Sequence, residues 1–199
     1  LVGELSSRIS FIRYDLPWKS PYAQLMNERQ WYDFPESRVR EMRMNFATKN
    51  GNLKKAPVDM TVTDSFVVPI GVGEEEILLR MKPKTRYNIR LARRKGIQVR
   101  IASVDKLSLF YELYRETALR NGFSSSEFRY FSALFSASEK GQSDSDIVLL
   151  LATHNREVLA GAIMAMSKTR AIFLHGASSQ EKRNHMGSYA LDCDAIRYA

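Results

Sequence analysis

The sequence predicts an α/β domain of the α+β, mixed-sheet kind. Three observations lead there. Helical apolar spacing dominates the middle of the chain, strand-like runs replace it in the C-terminal third, and helical spacing returns at the end. Hydrophobic residues make up 44% of the 199 residues, enough for a real core.

The elements follow in order. Arg8 to Tyr14 alternates as a strand, and Asp15-Leu16-Pro17-Trp18 turns out of it. Pro35 at a first-turn position opens a helix over Glu36 to Lys49, stopped near Gly51. Ser65 to Ile70 reads as an edge strand, because Pro69 cannot donate to a ladder. A short helix over Glu74 to Met81 leads into a basic helix from about Lys82 to Lys95, with Gly96 as its stop. Ile97 to Ile101 alternates as a strand. Asp105 to Arg120 is a helix with Leu107, Phe110, Tyr111, Tyr114 and Ala118 on one stripe, ended by Asn121-Gly122. Ser124 to Ser126 are expected to cap another helix running to about Ser138, with Phe128, Phe131, Leu134 and Phe135 as its apolar positions. Gly141 to Asp146 is a loop. Ile147 to Thr153, Val158 to Ser167 and Arg170 to His175 form a three-strand meander, turning at His154-Asn155-Arg156-Glu157 and at Lys168-Thr169. Ala177 to Met186 is a polar loop before a helix over Gly187 to Ala199. Residues 1–70 form part of one domain and 71–199 a second.

Composition narrows the function classes. One cysteine, Cys193, cannot close an intrachain disulfide, and three histidines offer no zinc-ligand spacing. A reducing cytosol is the simplest setting. The longest nearly unbroken apolar run, Val158 to Met166, is far short of a bilayer span, and no signal peptide is evident. Leu1 in place of methionine, and a helical pattern reaching Ala199, read as a piece of a longer protein. The net charge of +8 favours anionic partners such as RNA, nucleotides or acidic headgroups.

Two constellations could carry chemistry. Arg80 to Gly96 holds eight cations in seventeen residues, and Arg86, Arg90, Arg93 and Arg94 share one helical face. Four like charges there repel, so the field itself is the expected purpose, and arginine grips phosphate with a bidentate fork. Tyr87 could stack on a base or hydrogen-bond an oxyanion. Ile89, Leu91 and Ala92 would dock the helix. The second constellation is the strand, polar loop and helix start from Phe173 to Tyr189. Its free helix N–H groups favour anions, and Arg183-x-x-x-Gly187-Ser188 loosely echoes an acyl-CoA pyrophosphate loop. Of the histidines, His154 is expected exposed in a hairpin turn, His175 packed at a strand end, and His185 in contact with ligand. Cys193 reads as a packing residue. Neither a serine-nucleophile elbow nor a P-loop occurs.

Lys82-Pro83-Lys84-Thr85-Arg86-Tyr87-Asn88-Ile89-Arg90-Leu91-Ala92-Arg93-Arg94-Lys95-Gly96-Ile97 resembles the K-x-R-x-N-I-x-x-A-x-x-x-G-V helix of the FemABX peptidyltransferases. Phe11-Ile12-Arg13-Tyr14-Asp15 resembles that family's hydrophobic-R-x-D-P strand end. His175-Gly176-Ala177-Ser178-Ser179 resembles its Y-G-(A/G)-S strand end, and Ser188 to Ile196 its P-Y-x-L-q-W-E-x-I helix. The departures are Leu16 before Pro17, Gly187-Ser188 in place of a proline, Cys193 at a tryptophan position and Asp194 for Glu. The resemblance implies tandem GNAT-like (acetyltransferase-type) domains, here a partial first and a nearly complete second. It implies transfer of an amino acid from aminoacyl-tRNA to the side-chain amine of a peptidoglycan precursor's stem peptide. The acceptor would be UDP-linked muramyl pentapeptide or its lipid-linked form, the latter bringing peripheral contact with the inner membrane face. No cofactor or metal is called for, since a tRNA ester is already a reactive acyl donor. Lys82, Lys84, Arg86, Tyr87, Asn88, Arg90 and Tyr189 would bind substrate. Arg183 would lie near the tRNA end or the oxyanion, and Asp15 and Asp194 would orient or deprotonate the amine, or fix neighbouring cations. Two other readings stand beside this one. A CoA-dependent N-acetyltransferase would share the fold but expects a glycine-rich loop, and Ser179 to Gly187 holds one glycine. A non-enzymatic RNA-binding module would explain the basic helix but not the strand–loop–helix tail. Oligomeric state is left open.

Overall fold

The computed structural model describes residues 67–141 and 145–199. The chain divides into two units, Leu1–Val68 and Pro69–Ala199, and the fold described is that of the second. The strand expected over Arg8 to Tyr14, the turn with Asp15 and the helix over Glu36 to Lys49 lie outside the described residues.

The elements are α1 (Glu74–Arg80), α2 (Pro83–Arg94), β1 (Gln98–Ala102), a 3-10 turn (Val104–Lys106), α3 (Leu107–Asn121), α4 (Phe128–Glu139), β2 (Asp146–His154), β3 (Glu157–Met166), β4 (Ala171–Ser178), a second 3-10 turn (Arg183–His185) and α5 (Gly187–Tyr198). The sheet runs in the order β1-β2-β3-β4, and all three pairings are antiparallel. The expected mixed α/β domain is thus present, and among the described residues its sheet is antiparallel throughout.

Local chemistry sets the boundaries. Pro83 opens α2, where a missing N–H costs nothing, and Gly96 leaves it at φ +78. Gly122 at φ +70 ends α3, and the Phe123 N–H returns to the Ala118 carbonyl at 3.1 Å. The β2–β3 hairpin closes through Asn155 and Arg156, both left-handed at φ 49 and 69, as a two-residue loop of matched twist requires.

Three expectations are corrected. Residues 67–70 carry no strand, so the proposed edge strand over Ser65 to Ile70 does not form across its described part. Ser124 to Ser126 do not cap α4: the backbone is still extended at Glu127 and no side chain caps the first turn. β4 runs beyond His175 to Ser178, because Gly176, Ala177 and Ser178 continue the ladder onto Ala162, Gly161 and Ala160. Within that ladder Ile163 faces His175 and Met164 faces Phe173, so Leu174 bulges out.

Six successive residues of β3, Leu159 to Met164, are buried. A strand buried on both faces reads as a continuous apolar run rather than an alternating one. On one face Leu150, Ala152, Ala160 and Ala162 meet Ala92 of α2 and Ala190, Leu191 and Ala195 of α5. On the other, Leu149, Leu151 and Ile163 meet Leu107, Phe110 and Tyr114 of α3 and Phe131 and Phe135 of α4. Phe110 and Phe131 are fully buried, with ring centroids 5.7 Å apart and edge-on. Gly161 makes this approach possible, because a Cβ there would lie 2.9 Å from the Phe110 ring and 3.1 Å from Leu151. Gly161→Ala is therefore expected to lower stability by about 1–3 kcal/mol, read as a lower urea midpoint at unchanged slope. Adding Phe110→Leu to that variant is expected to cost less than the sum of the two changes.

Candidate phosphate-binding site

Helix α2 sorts its cations by where each emerges. Asn88, Ile89 and Ala92 are buried and dock the helix, with Asn88 taking a place that spacing alone gave to Leu91. Arg86 and Arg93 leave at the margins of this docked face. Arg86 turns back, and its guanidinium donates to the Leu79 carbonyl at 3.2 Å and the Met81 carbonyl at 2.5 Å, closing the α1–α2 turn. Arg93 reaches Glu74 of α1 at 3.2 Å and Asp194 of α5 at 3.6 Å. Lys82, Lys84, Arg90 and Arg94 remain exposed, with no side-chain partner among the described residues. Tyr87, 56% exposed, stands with them. The face that spacing assembled from four arginines thus divides into two that hold the fold and two that meet solvent.

Asp194 sits between two cations. Arg197 donates to it at 2.9 Å and Arg93 lies on its other side, while Arg197 also pairs with Glu74 at 3.3 Å. Glu74, Arg93, Asp194 and Arg197 so form a closed ring of alternating charge joining α1, α2 and α5. The sequence signalled it only through the acidic first turn of α1. Below the ring a cleft of about 280 Å³ opens between α1 and α5, walled by Ile77 and Leu78 and floored by Cys193 and Ile196. Cys193 is 4% exposed, with burial pushing its thiol up. It packs as the sequence indicated.

Arg183 is exposed in the 3-10 turn before α5 and has no side-chain partner among the described residues. Tyr189 is half-buried in the first turn of α5. No contact joins Arg183 to Asp194, and Asp15 lies outside the described residues. His175 is half-buried among Tyr114, Tyr130 and Phe131, its Nε2 3.3 Å from the Tyr130 hydroxyl, and burial holds its imidazole below the usual histidine range. His154 departs from expectation. It is the last residue of β2, its Nδ1 is enclosed without a hydrogen-bond partner, and its ring lies 4.6 Å from that of His185. It is therefore not the freely solvated turn residue the hairpin composition predicted, because the β4–α5 loop folds over it.

The described unit is thus an α/β domain: a four-stranded antiparallel sheet carries α3 and α4 on one face and α2 and α5 on the other, with a cationic helix at its margin. Residues 60–157 match the sequence model of the FemAB family. It is 20% identical to the Lipid II:glycine glycyltransferase of Staphylococcus haemolyticus (strain JCSC1435), over 68% of this chain and 47% of that protein. The solved structure titled "Crystal structure of FemX" shares this fold at a TM-score of 0.59 and 18% identity, over 65% of this chain and 48% of that one. The chain thus spans about half the length of the relatives it matches.

One further titrating group escaped the sequence reading. Asp192 on α5 keeps solvent contact, yet the bulk of protein around it pushes its carboxyl up to about 6. A carboxyl raised on folding adds stability below its unfolded pKa and loses it as pH rises through 6. Asp192→Asn is therefore expected to raise the melting temperature relative to the parent at pH 7 and to lose that advantage by pH 4, followed by thermal unfolding at both values.

Proposed function

We propose that this chain is part of an aminoacyltransferase that moves an amino acid from aminoacyl-tRNA to the amine of a peptidoglycan-precursor stem peptide. The observation that carries the reading is the solvent face of α2, where Lys82, Lys84, Arg90 and Arg94 stand without a side-chain partner among the described residues, beside the exposed ring of Tyr87. Both substrates carry phosphates, and unpaired cations on a docked helix are ready to bind them without first breaking an ion pair. The named Lipid II:glycine glycyltransferase relative and the match to the FemAB family support the same class of acyl transfer to a peptidoglycan precursor. In this reading the protein works in the cytoplasm, in peripheral contact with the membrane when the acceptor is lipid-linked. Among the described residues no helix is long and apolar enough to cross a membrane.

The chemistry asked of the protein is modest. An amine attacks the ester carbonyl, a C–N bond forms, and the ribose oxygen leaves with a proton. What the protein supplies is orientation and a donor for the developing oxyanion. Arg183, exposed in the 3-10 turn before α5 and without a side-chain partner among the described residues, is assigned that donor role. Tyr189, in the first turn of α5, is assigned to lining the acyl end. Arg86 keeps guanidinium N–H groups beyond those given to Leu79 and Met81, and holds the start of α2 while contacting phosphate. Asn88, 5% exposed, fixes the depth of the helix rather than the ligand. Asp15 and Asp194 are assigned to orienting the amine, Asp194 through the arginines that flank it.

In the full-length protein, Arg90→Glu/Arg94→Glu is expected to weaken tRNA binding at least tenfold. It should also reduce the slope of log affinity against log salt by about 1.4–1.8, two phosphate contacts' worth. Loss of aminoacyl transfer to the muramyl pentapeptide should follow. A variant with unchanged helical content and unchanged tRNA and muramyl-nucleotide affinity would overturn the assignment.

A further inference from the structure

Three parts of the chain that are distant in sequence meet at one corner. The C-terminus of α2 brings Lys95, the end of β2 brings His154, and the β4–α5 loop brings Lys182 and His185. Lys95 donates to the Asn184 carbonyl at 2.8 Å, and His185 Nδ1 lies 2.9 Å from the Asn184 side-chain oxygen. The two imidazoles are in ring contact at 4.6 Å. Lys182 pairs with Glu157 at the start of β3, the one carboxylate among the described residues bound to this group of four. Lys182 and Met186 flank the 3-10 turn in left-handed conformations, at φ 48 and 58. Such backbone is strained at a non-glycine residue, and the enclosed Nδ1 of His154 lacks a hydrogen-bond partner among the described residues.

The chemistry of this corner points to an anion. Two imidazoles alone are a poor metal set, and the described residues hold no group of three metal-ligating side chains. The ammonium groups of Lys95 and Lys182 would repel a cation. A tetrahedral oxyanion accepts from the ammonium N–H groups that Lys95 and Lys182 do not give to Asn184 and Glu157, from the His185 imidazole, and from the unpartnered Nδ1 of His154. We propose that Lys95, Lys182, His154 and His185 form a phosphate-binding corner, continuous with the cationic face of α2 but separate from it. The site rests on the tRNA-dependent reading only for the source of its phosphate, an RNA backbone. Its anion chemistry stands without that reading.

Partial burial, and then the charges of His154, Lys95 and Lys182, hold His185 below the ordinary histidine range. A bound anion offsets those charges and favours the imidazolium. Binding therefore takes up protons, and affinity rises as pH falls through the histidine range. The effect is up to about tenfold per pH unit for each imidazole that titrates.

The chain has three histidines, and His175 of β4, against Tyr130 of α4, serves as an internal control. The test is an NMR titration of the imidazole resonances with inorganic sulfate, a tetrahedral anion that does not itself titrate between pH 5 and 8. Saturable shifts of His154 and His185, with a raised pKa for His185 and a still His175, are expected. Lys95→Gln/Lys182→Gln should abolish them, while Arg90→Glu/Arg94→Glu should leave them in place even where tRNA binding is lost. Repeating the titration with a short RNA oligonucleotide and with uridine diphosphate assigns the source: saturation at the lower concentration by RNA supports the tRNA backbone, and by the nucleotide the acceptor. No shift, equal shifts at all three histidines, or shifts that survive the lysine double variant would overturn the proposal.

Discussion

Everything in this domain is arranged around a strand with no wet side. β3 is buried over six successive residues, so both of its faces must be covered. The small side chains of Ala160 and Ala162 and the bare backbone of Gly161 let helices approach closely on each side. Once α3 and α4 take one face, α2 has to share the other with α5, and only its margin remains free to meet solvent. The cationic display is a consequence of that sandwiching: a helix docked through Ile89 and Ala92 can turn Tyr87, Arg90 and Arg94 nowhere but outward.

The same docking explains why neighbouring arginines have different employment. Arg86 and Arg93 emerge where the helix meets α1 and α5, within reach of carbonyls and carboxylates. Arg90 and Arg94 emerge a fraction of a turn away and find water. Bare helical spacing groups the four together. What divides them is the position of partners supplied by other elements.

That difference marks how far the sequence could be read. Apolar period located α2, α3, α4, the three-strand meander and α5, because each buries a face whose spacing is written locally. Gly96, Gly122 and the Asn155-Arg156 pair fixed their ends for equally local reasons. The misreadings share a cause. Serines before α4 have capping chemistry but are not placed to use it. β4 extends because its partner strand is there to pair with. His154 lies beneath a loop that begins more than twenty residues further on. The ring of Glu74, Arg93, Asp194 and Arg197 is likewise invisible in one dimension, since no pattern along the chain says that α1 and α5 flank α2.

Helix α1 shows what such a ring means for motion. None of its seven residues is buried, and it has too few turns to persist alone. It is held by the Arg86 clasp, by the ion pairs of Glu74 and by the apolar walls of a small cleft. The ion-paired part of that grip is screened by salt, whereas the sheet beneath is held by dispersion and burial, which salt hardly weakens. The domain is therefore mechanically two-tiered: a rigid slab, and a short helix whose attachment follows the ionic strength around it. A polyanion arriving at α2 would alter that ionic surrounding, drawing on the same arginine row that pins α1 in place.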